Sequence, residues 1–271
     1  MTTILEFQDQ DYNPGSRNRT RAHSITASYL RSLGLPMHAI ESLISSARTD
    51  SRRRGDVLAY GQEWIHIVGR GVIKETTPHG TERLWRQGAI LGDISRVMLR
   101  KGTTDESGSR GTGPHITFLS TGTCMSLTAR TFATLIEKEP VLALLLAQLT
   151  NERSQNVESV YAASKADPVI RVARLLDYLL EPPARTRKGL NRYRWTRTGV
   201  HPVPSEALTL TGPSQADIAS ALGLGRTTVE KAIAALRVEG VLAALAPGTR
   251  SNRYFQIMDS GRLRSLARSE S

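Results

Sequence analysis

The chain has 271 residues, 39% hydrophobic and 23% charged, which is enough to bury an ordinary core in one or two domains and excludes a chain disordered throughout. It carries 36 Lys and Arg against 25 Asp and Glu, a formal charge of +11, which points to a polyanionic partner such as nucleic acid. No apolar run reaches the roughly 18 residues of a membrane span, and the single Cys124 excludes an internal disulfide and a cysteine-built cluster or zinc site.

The beginning, Met1-Thr2-Thr3-Ile4-Leu5-Glu6, lacks a basic stretch followed by an apolar one, so no secretory signal is expected. The expectation is a cytoplasmic protein with no membrane partner and no metal. The basic excess is concentrated late: residues 167–271 hold 16 basic and 9 acidic side chains.

Residues 1–22 are polar, with Asn13-Pro14-Gly15-Ser16 and Arg17, Arg19 and Arg21, and predict a flexible arm, either solvated or touching DNA. Two short helical patterns follow over 24–47, broken at Gly34-Leu35-Pro36, with an apolar stripe of Ile40, Leu43 and Ile44 on the second. From about 56 to 128 the pattern changes to short β-like runs. These are 57–60, 64–68, 72–74, 83–85, 116–119 and 124–127, punctuated by glycines, and they predict a jelly roll or small barrel. The polar stretch 101–114 interrupts them as a low-complexity loop.

Thr128 caps a short helix over 129–137, and a longer one starts near Pro140. On the longer helix Leu142, Leu145, Leu149, Asn156, Val160 and Ala163 recur at threes and fours, interrupted by Arg153. The stripe is open to two readings, an inter-subunit seam or packing on its own domain. Asp167 caps a further helix with Pro168 first and Val169, Val172, Leu175, Leu176, Leu179 and Leu180 on its core face; Pro182-Pro183 ends it. Residues 184–208 read as a basic loop or hairpin, with Arg185, Arg187, Lys188, Arg192, Arg194 and Arg197 interleaved with Tyr193 and Trp195.

Residues 214–257 carry most information. Ser214 with Asp217 three residues on is a capping box. Ile218, Ala221 and Leu222 form an apolar face, Gly223 permits a tight turn, and a second helix follows Gly225 with Val229, Ile233 and Leu236 inward. Two short helices across a glycine turn are a helix-turn-helix. The burial of those three side chains turns Arg226, Thr227, Glu230 and Lys231 outward on the half of the helix that reaches base edges in a major groove. Arginine grips guanine O6 and N7 with two hydrogen bonds. Glu230 accepts from a cytosine or pairs with Arg226 four residues back. Ser214, Gln215 and Thr228 are placed for backbone phosphates. Val241–Ala244, a turn at Pro247-Gly248-Thr249-Arg250 and Arg253–Ile257 read as a wing, with Thr249, Arg250 and Arg253 on phosphates.

Gln215–Lys231 follows the pattern Q-x-[DE]-I-A-x-x-L-G-x-[ST]-R-x-T-V-x-R, and Leu236 with Glu239-Gly240-Val241-Leu242 follows its L-x-x-x-G-[LI]-[IL] ending. This resembles the CRP/FNR transcription regulators, the family of the cyclic AMP receptor protein. Gly225 stands where that family has Ser or Thr, and Lys231 where it has Arg. Residues 54–58, 64–74, 80–84 and 88–93 are weaker, collinear matches to its N-terminal domain.

The resemblance spans about 35–258. It implies an α+β chain in which, after the arm over 1–22, come a jelly-roll-like β-roll sensor over 23–137, a dimerisation helix over 138–166 carrying Leu142, Leu145, Leu149, Asn156 and Val160, and a winged helix-turn-helix over 167–271. It also implies that Arg226, Thr227 and Lys231 read bases, that the chain is a homodimer on a near-palindromic double-stranded DNA site, and that an activator of this kind meets RNA polymerase through the DNA-binding domain.

The cyclic-nucleotide cassette departs from that family. Gly92-Asp93 replaces Gly-Glu, the Arg-[Ser/Thr]-Ala is missing, and Arg110 in the 101–114 loop is the nearby arginine. Without a fixed cation a buried cyclic phosphate is too costly, so no tight cyclic AMP binding is expected and no other cofactor is identified. The competing reading is a regulator switched by a different small molecule in the β-roll, with Trp64, Trp85 and His115 lining its pocket. His66, His79 and His115 are open as haem ligands or as plain strand and surface residues. No nucleophile elbow, H-E-x-x-H or P-loop is present, so an enzyme is not expected.

Overall fold

The computed structural model describes residues 14–58, 63–77, 79–98, 115–162, 165–180, 193–196, 199–202, 208–244 and 253–269. Helix α1 (Pro14–Ser32) begins inside the stretch expected to be an arm. Ala22, Tyr29, Leu30 and Leu33 on it are buried, so the helix is held by its apolar C-terminal half. Helix α2 (Met37–Ser46) follows the break at Gly34–Pro36 and buries Ala39, Ile40 and Leu43.

Two four-stranded antiparallel sheets form the roll. One has the order β1 (Arg48–Arg52), β8 (Gly122–Thr128), β3 (Trp64–Arg70), β6 (Ile90–Leu91). The other has β2 (Val57–Leu58), β7 (His115–Phe118), β4 (Ile73–Thr76), β5 (Glu82–Trp85). Strand β3 is buried at almost every position because both its faces are covered. Ile65 and Ile67, with Met125 and Leu127 of β8, pack under the helices, whereas Val68 and Cys124 belong to the core shared with the second sheet. The period-two alternation separates these two cores.

After a short helix α3 (Ser95–Met98), Thr128 caps α4 (Ala129–Lys138), its Oγ1 accepting from the Thr131 amide at 3.1 Å. Helix α5 (Val141–Asn156) ends in a single wide turn, Val157–Tyr161. The 138–166 dimerisation helix expected from sequence is therefore shorter than its range. Of the two readings of its stripe, Leu142, Leu145 and Leu149 take the packing on their own domain, since they are buried in one core with residues of α1, α2 and α4. Val160 joins the core between roll and C-terminal unit, and Asn156 is half-buried.

The C-terminal unit starts with α6 (Pro168–Leu180); Asp167 Oδ1 accepts from the Val169 amide at 2.7 Å. Strands β9 (Tyr193–Thr196) and β10 (Gly199–Pro202) pair antiparallel within the segment read as a loop or hairpin. Then come β11 (Leu208–Thr211), α7 (Gln215–Leu222), α8 (Arg226–Val238), β12 (Tyr254–Ile257) and α9 (Ser260–Arg268).

Helix α9, unforeseen in the sequence, lays Leu263 and Ala267 into the fold, and Arg174 of α6 donates to the Ala267 and Ser269 carbonyls at 2.7 and 3.1 Å. The core of this unit is continuous with the interior of the second sheet. Gly212, at φ +122°, lies so close to the roll that a Cβ there would meet the Leu119 carbonyl carbon and oxygen at 3.0 Å. Among the described residues no helix is long and apolar enough to cross a membrane.

Candidate nucleic-acid interface

The helix-turn-helix is built as its residues dictate. Ser214 Oγ accepts from the Asp217 amide at 3.1 Å, and Asp217 Oδ2 accepts from the Ser214 amide at 2.9 Å, so both halves of the capping box form. Gly223 ends α7 in the left-handed conformation, φ +60° and ψ +36°, which a side chain disfavours. Gly225 starts α8 with no side-chain cap. Val229, Ala232, Ile233 and Leu236 are buried, which turns Arg226, Thr227, Glu230 and Lys231 to the surface. Arg226 Nε donates to Glu230 Oε1 at 3.0 Å, the i,i+4 pairing, with the two side chains 67% and 44% exposed.

The expected phosphate contacts fare unevenly. Thr228 and Gln215 are half-buried. Ser214 is 5% exposed and its hydroxyl is committed to Asp217 at 2.6 Å, so the expectation that it meets a phosphate is corrected. Arg253 is half-buried, its carbonyl accepting from the Gly212 amide at 3.2 Å. Thr249, Arg250 and Arg110 lie outside the described residues. So does the 101–114 loop, as do the side chains of the 184–200 segment. The wing forms in part: Leu242 bridges to Ile257, and the Ala243 amide donates to the Gln256 carbonyl at 2.9 Å.

Asp217 has a second partner that sequence reasoning missed. Lys74 Nζ of β4 lies 3.3 Å from its Oδ1 and 3.2 Å from Glu82 Oε1 of β5, which ties α7 to the roll. Burial pushes the Asp217 carboxyl up, but the Ser214 donors and Lys74 outweigh it and hold the group below the usual carboxylate range. Burial likewise lowers the Lys74 ammonium, and Glu82 and Asp217 more than reverse it.

A cleft of about 410 Å³ between the strands and α5 is lined by Arg83, Gly92, Thr150, Arg153, Ser154 and Glu158. Asp93 is exposed, with its Oδ1 accepting from the Ser95 amide at 3.2 Å and from the Ser95 hydroxyl, so it caps α3. The expected Trp64, Trp85 and His115 lining is not assembled: Trp85 is fully buried, His115 is exposed, and Trp64 lies on the other sheet.

His66 is 3% exposed, with Nδ1 2.8 Å from Ser126 Oγ; burial, with Arg52 nearby, pulls its imidazole down to about 4. His79 is exposed. Among the described residues no group of three His, Cys, Asp or Glu is placed to hold a metal ion.

No protein-family model matches the chain, and no curated protein matches it. Solved structures do. A candidate cAMP-binding regulatory protein from Silicibacter pomeroyi is 18% identical with a TM-score of 0.55, covering 91% of this chain and 100% of that one. A CRP-family transcriptional regulator from Thermus thermophilus is 17% identical with a TM-score of 0.51, covering 81% and 97%. A second regulator from that organism, of the CRP/FNR family, is 20% identical with a TM-score of 0.50, covering 83% and 100%. The chain thus has the CRP/FNR fold, in which a β-roll precedes a helix-turn-helix.

Proposed function

We propose that this chain is a sequence-specific transcription regulator of the CRP/FNR type, which binds a near-palindromic DNA site as a homodimer and needs no cyclic AMP. The observation that carries the reading is the exposed face of α8, where Arg226, Thr227 and Lys231 stand outward above the buried Val229, Ile233 and Leu236. Helix geometry puts Thr227 and Lys231 one turn apart on the groove-entering half, with Arg226 at the first position. Arg226 reads a guanine once it is released from Glu230, and Lys231 meets a guanine or a phosphate as a point charge rather than a fork. Arg253 and the basic 184–200 segment supply salt-dependent affinity.

A second copy docks on the outward face of α5. Leu144 there is 70% exposed, in line with exposed Ala147, Asn151, Ser154 and Gln155. This stripe takes the seam role that Leu142, Leu145 and Leu149 do not fill. If the regulator activates, the C-terminal unit is the surface offered to RNA polymerase.

The test is selection of bound sequences from a random duplex pool, with and without cyclic AMP. An inverted repeat with half-sites one helical turn apart, about 34 Å, enriched equally in both arms, is the expected result. Enrichment only with cyclic AMP overturns the effector-free part, and no enrichment in either arm overturns the DNA-binding reading.

A further inference from the structure

Arg153 interrupts the apolar stripe of α5, and its side chain crosses from that helix into the roll. Nη2 donates to both oxygens of Glu75 at 3.0 Å, and Nη1 donates to the Ile90 carbonyl at 2.6 Å. The guanidinium carbon lies 4.7 Å from the centre of the Trp85 ring, and Trp85 Nε1 itself donates to Glu75 Oε2 at 2.7 Å. Glu75 is 3% exposed and Trp85 fully buried. One helix side chain therefore fastens α5 to three strands, β4, β5 and β6, at the wall of the 410 Å³ cleft.

The ribbon of β4 and β5 carries that fastening onward. The Leu84 amide donates to the Tyr161 hydroxyl at 2.8 Å, and that hydroxyl donates to the Leu84 carbonyl at 2.6 Å, at the far end of the wide turn that follows α5. The Trp85 and Tyr161 rings meet edge to face at 6.2 Å. Arg86 donates to the Tyr178 carbonyl of α6 at 3.0 Å and lies 4.8 Å over its ring. Glu82 shares Lys74 with Asp217 of α7. The two strands, with Arg86 just past the end of β5, thus hold α5, the junction, α6 and the first helix of the helix-turn-helix.

A small molecule in the cleft would act by joining the roll to α5. Arg153 makes that join already, with Nη2 on Glu75 and Nη1 on the Ile90 carbonyl. A ligand that displaced it would leave the buried Glu75 carboxylate without its cation, a strongly unfavourable state. We propose that Arg153 is a positioning residue that does from within the chain what an effector would do from outside: it holds α5 on the roll and, through the β4–β5 ribbon, keeps α8 in its DNA-reading orientation. This inference rests on the DNA-binding reading above and names the residue responsible for its independence of ligand.

The experiment compares dialysed full-length wild type, Arg153→Met, Arg153→Lys and Trp85→Phe by fluorescence anisotropy. The probes are the selected duplex and a scrambled one, with and without cyclic AMP and cyclic GMP. Cooperative melting is checked for each variant. Wild type binds the selected duplex equally in all arms. Arg153→Met keeps its scrambled-duplex binding but loses about tenfold in preference for the selected one, a shift of the size that coupled positions produce. Arg153→Lys recovers part of the loss, since an ammonium meets Glu75 but neither stacks flat on Trp85 nor reaches the Ile90 carbonyl as well.

A folded Arg153→Met with wild-type preference overturns the proposal, as does a wild type whose affinity rises with either nucleotide. If Arg153→Met does not melt cooperatively, Arg153→Lys and Trp85→Phe decide, and unchanged preference in both overturns it. Failure of wild type to prefer any duplex instead overturns the DNA-binding reading on which the proposal rests.

Discussion

Replacing Asp217 by alanine tests whether the capping box and the link to the roll act as one device. The carboxylate accepts from the Ser214 amide, from its hydroxyl and from Lys74. The Ser214 amide would lose its partner within a residue that is 5% exposed, which costs about 1–2 kcal/mol. Lys74 keeps Glu82 at 3.2 Å, so no cation is orphaned and the lost ion pair adds only about 0.5 kcal/mol. The expected total is about 2 kcal/mol, or a Tm about 4–8 °C lower for a chain of this size. Differential scanning calorimetry at neutral pH measures it.

The pH dependence has a fixed sign. The folded carboxyl titrates below its unfolded value of about 3.9, so its contribution is complete above that value and disappears as pH falls through the folded one. The gap between wild type and Asp217→Ala should hold from pH about 7 down to about 5 and shrink below about 4. A variant melting within about 1 °C of wild type, or a gap unchanged at strongly acid pH, refutes the reasoning.

Arg226→Ala and Lys231→Ala should each cost about 1–3 kcal/mol on the selected duplex and relax the preferred sequence, as measured by competition binding; unchanged preference in both counts against a recognition role for α8. Leu144→Glu should yield a monomer by sedimentation, with a folded chain because the side chain is 70% exposed within one copy and a melting point lowered only by the loss of association; a dimer of wild-type affinity places the seam elsewhere. With the His66 imidazole held near 4 by burial, the unfolded chain binds a proton that the folded one refuses between about 6.5 and 4. Stability should therefore fall as pH drops through that window, by up to about 1.4 kcal/mol per pH unit, and His66→Gln should flatten the slope; an equal slope in the variant sinks this account.

The helix-turn-helix was legible because its determinants are local. The capping box, Gly223, the inward Val229, Ile233 and Leu236 and the Arg226–Glu230 pairing all lie close together along the chain, and each takes the geometry its spacing dictates. Strand β1, Arg48-Thr49-Asp50-Ser51-Arg52, was not legible, because it is polar and forms by pairing with β8 rather than by an apolar alternation of its own. The α5 stripe stayed open between two readings because periodicity identifies a buried face without saying what covers it. Its cover comes from α4 and from β6, which lies about fifty residues earlier. Arg153 did leave a signal, as a charge interrupting an apolar stripe. Its partners Glu75 and Ile90 are 78 and 63 residues away, a juxtaposition that only the fold supplies.

The pairing of β11 with β12 has a temporal consequence. Leu208 faces Ile257 and Thr211 faces Tyr254, so the strand that precedes the helix-turn-helix finds its partner only after that motif is complete. Helices α7 and α8 are closed by local contacts and can form early, but the sheet beneath them must await a chain closure of roughly forty residues, a modest entropic cost that still delays assembly. As the chain emerges from a ribosome, its roll is complete well before residues 254–257 appear. The floor of the helix-turn-helix is thus among the last parts of the fold to close, and a product stalled before Tyr254 would carry finished helices α7 and α8 without it.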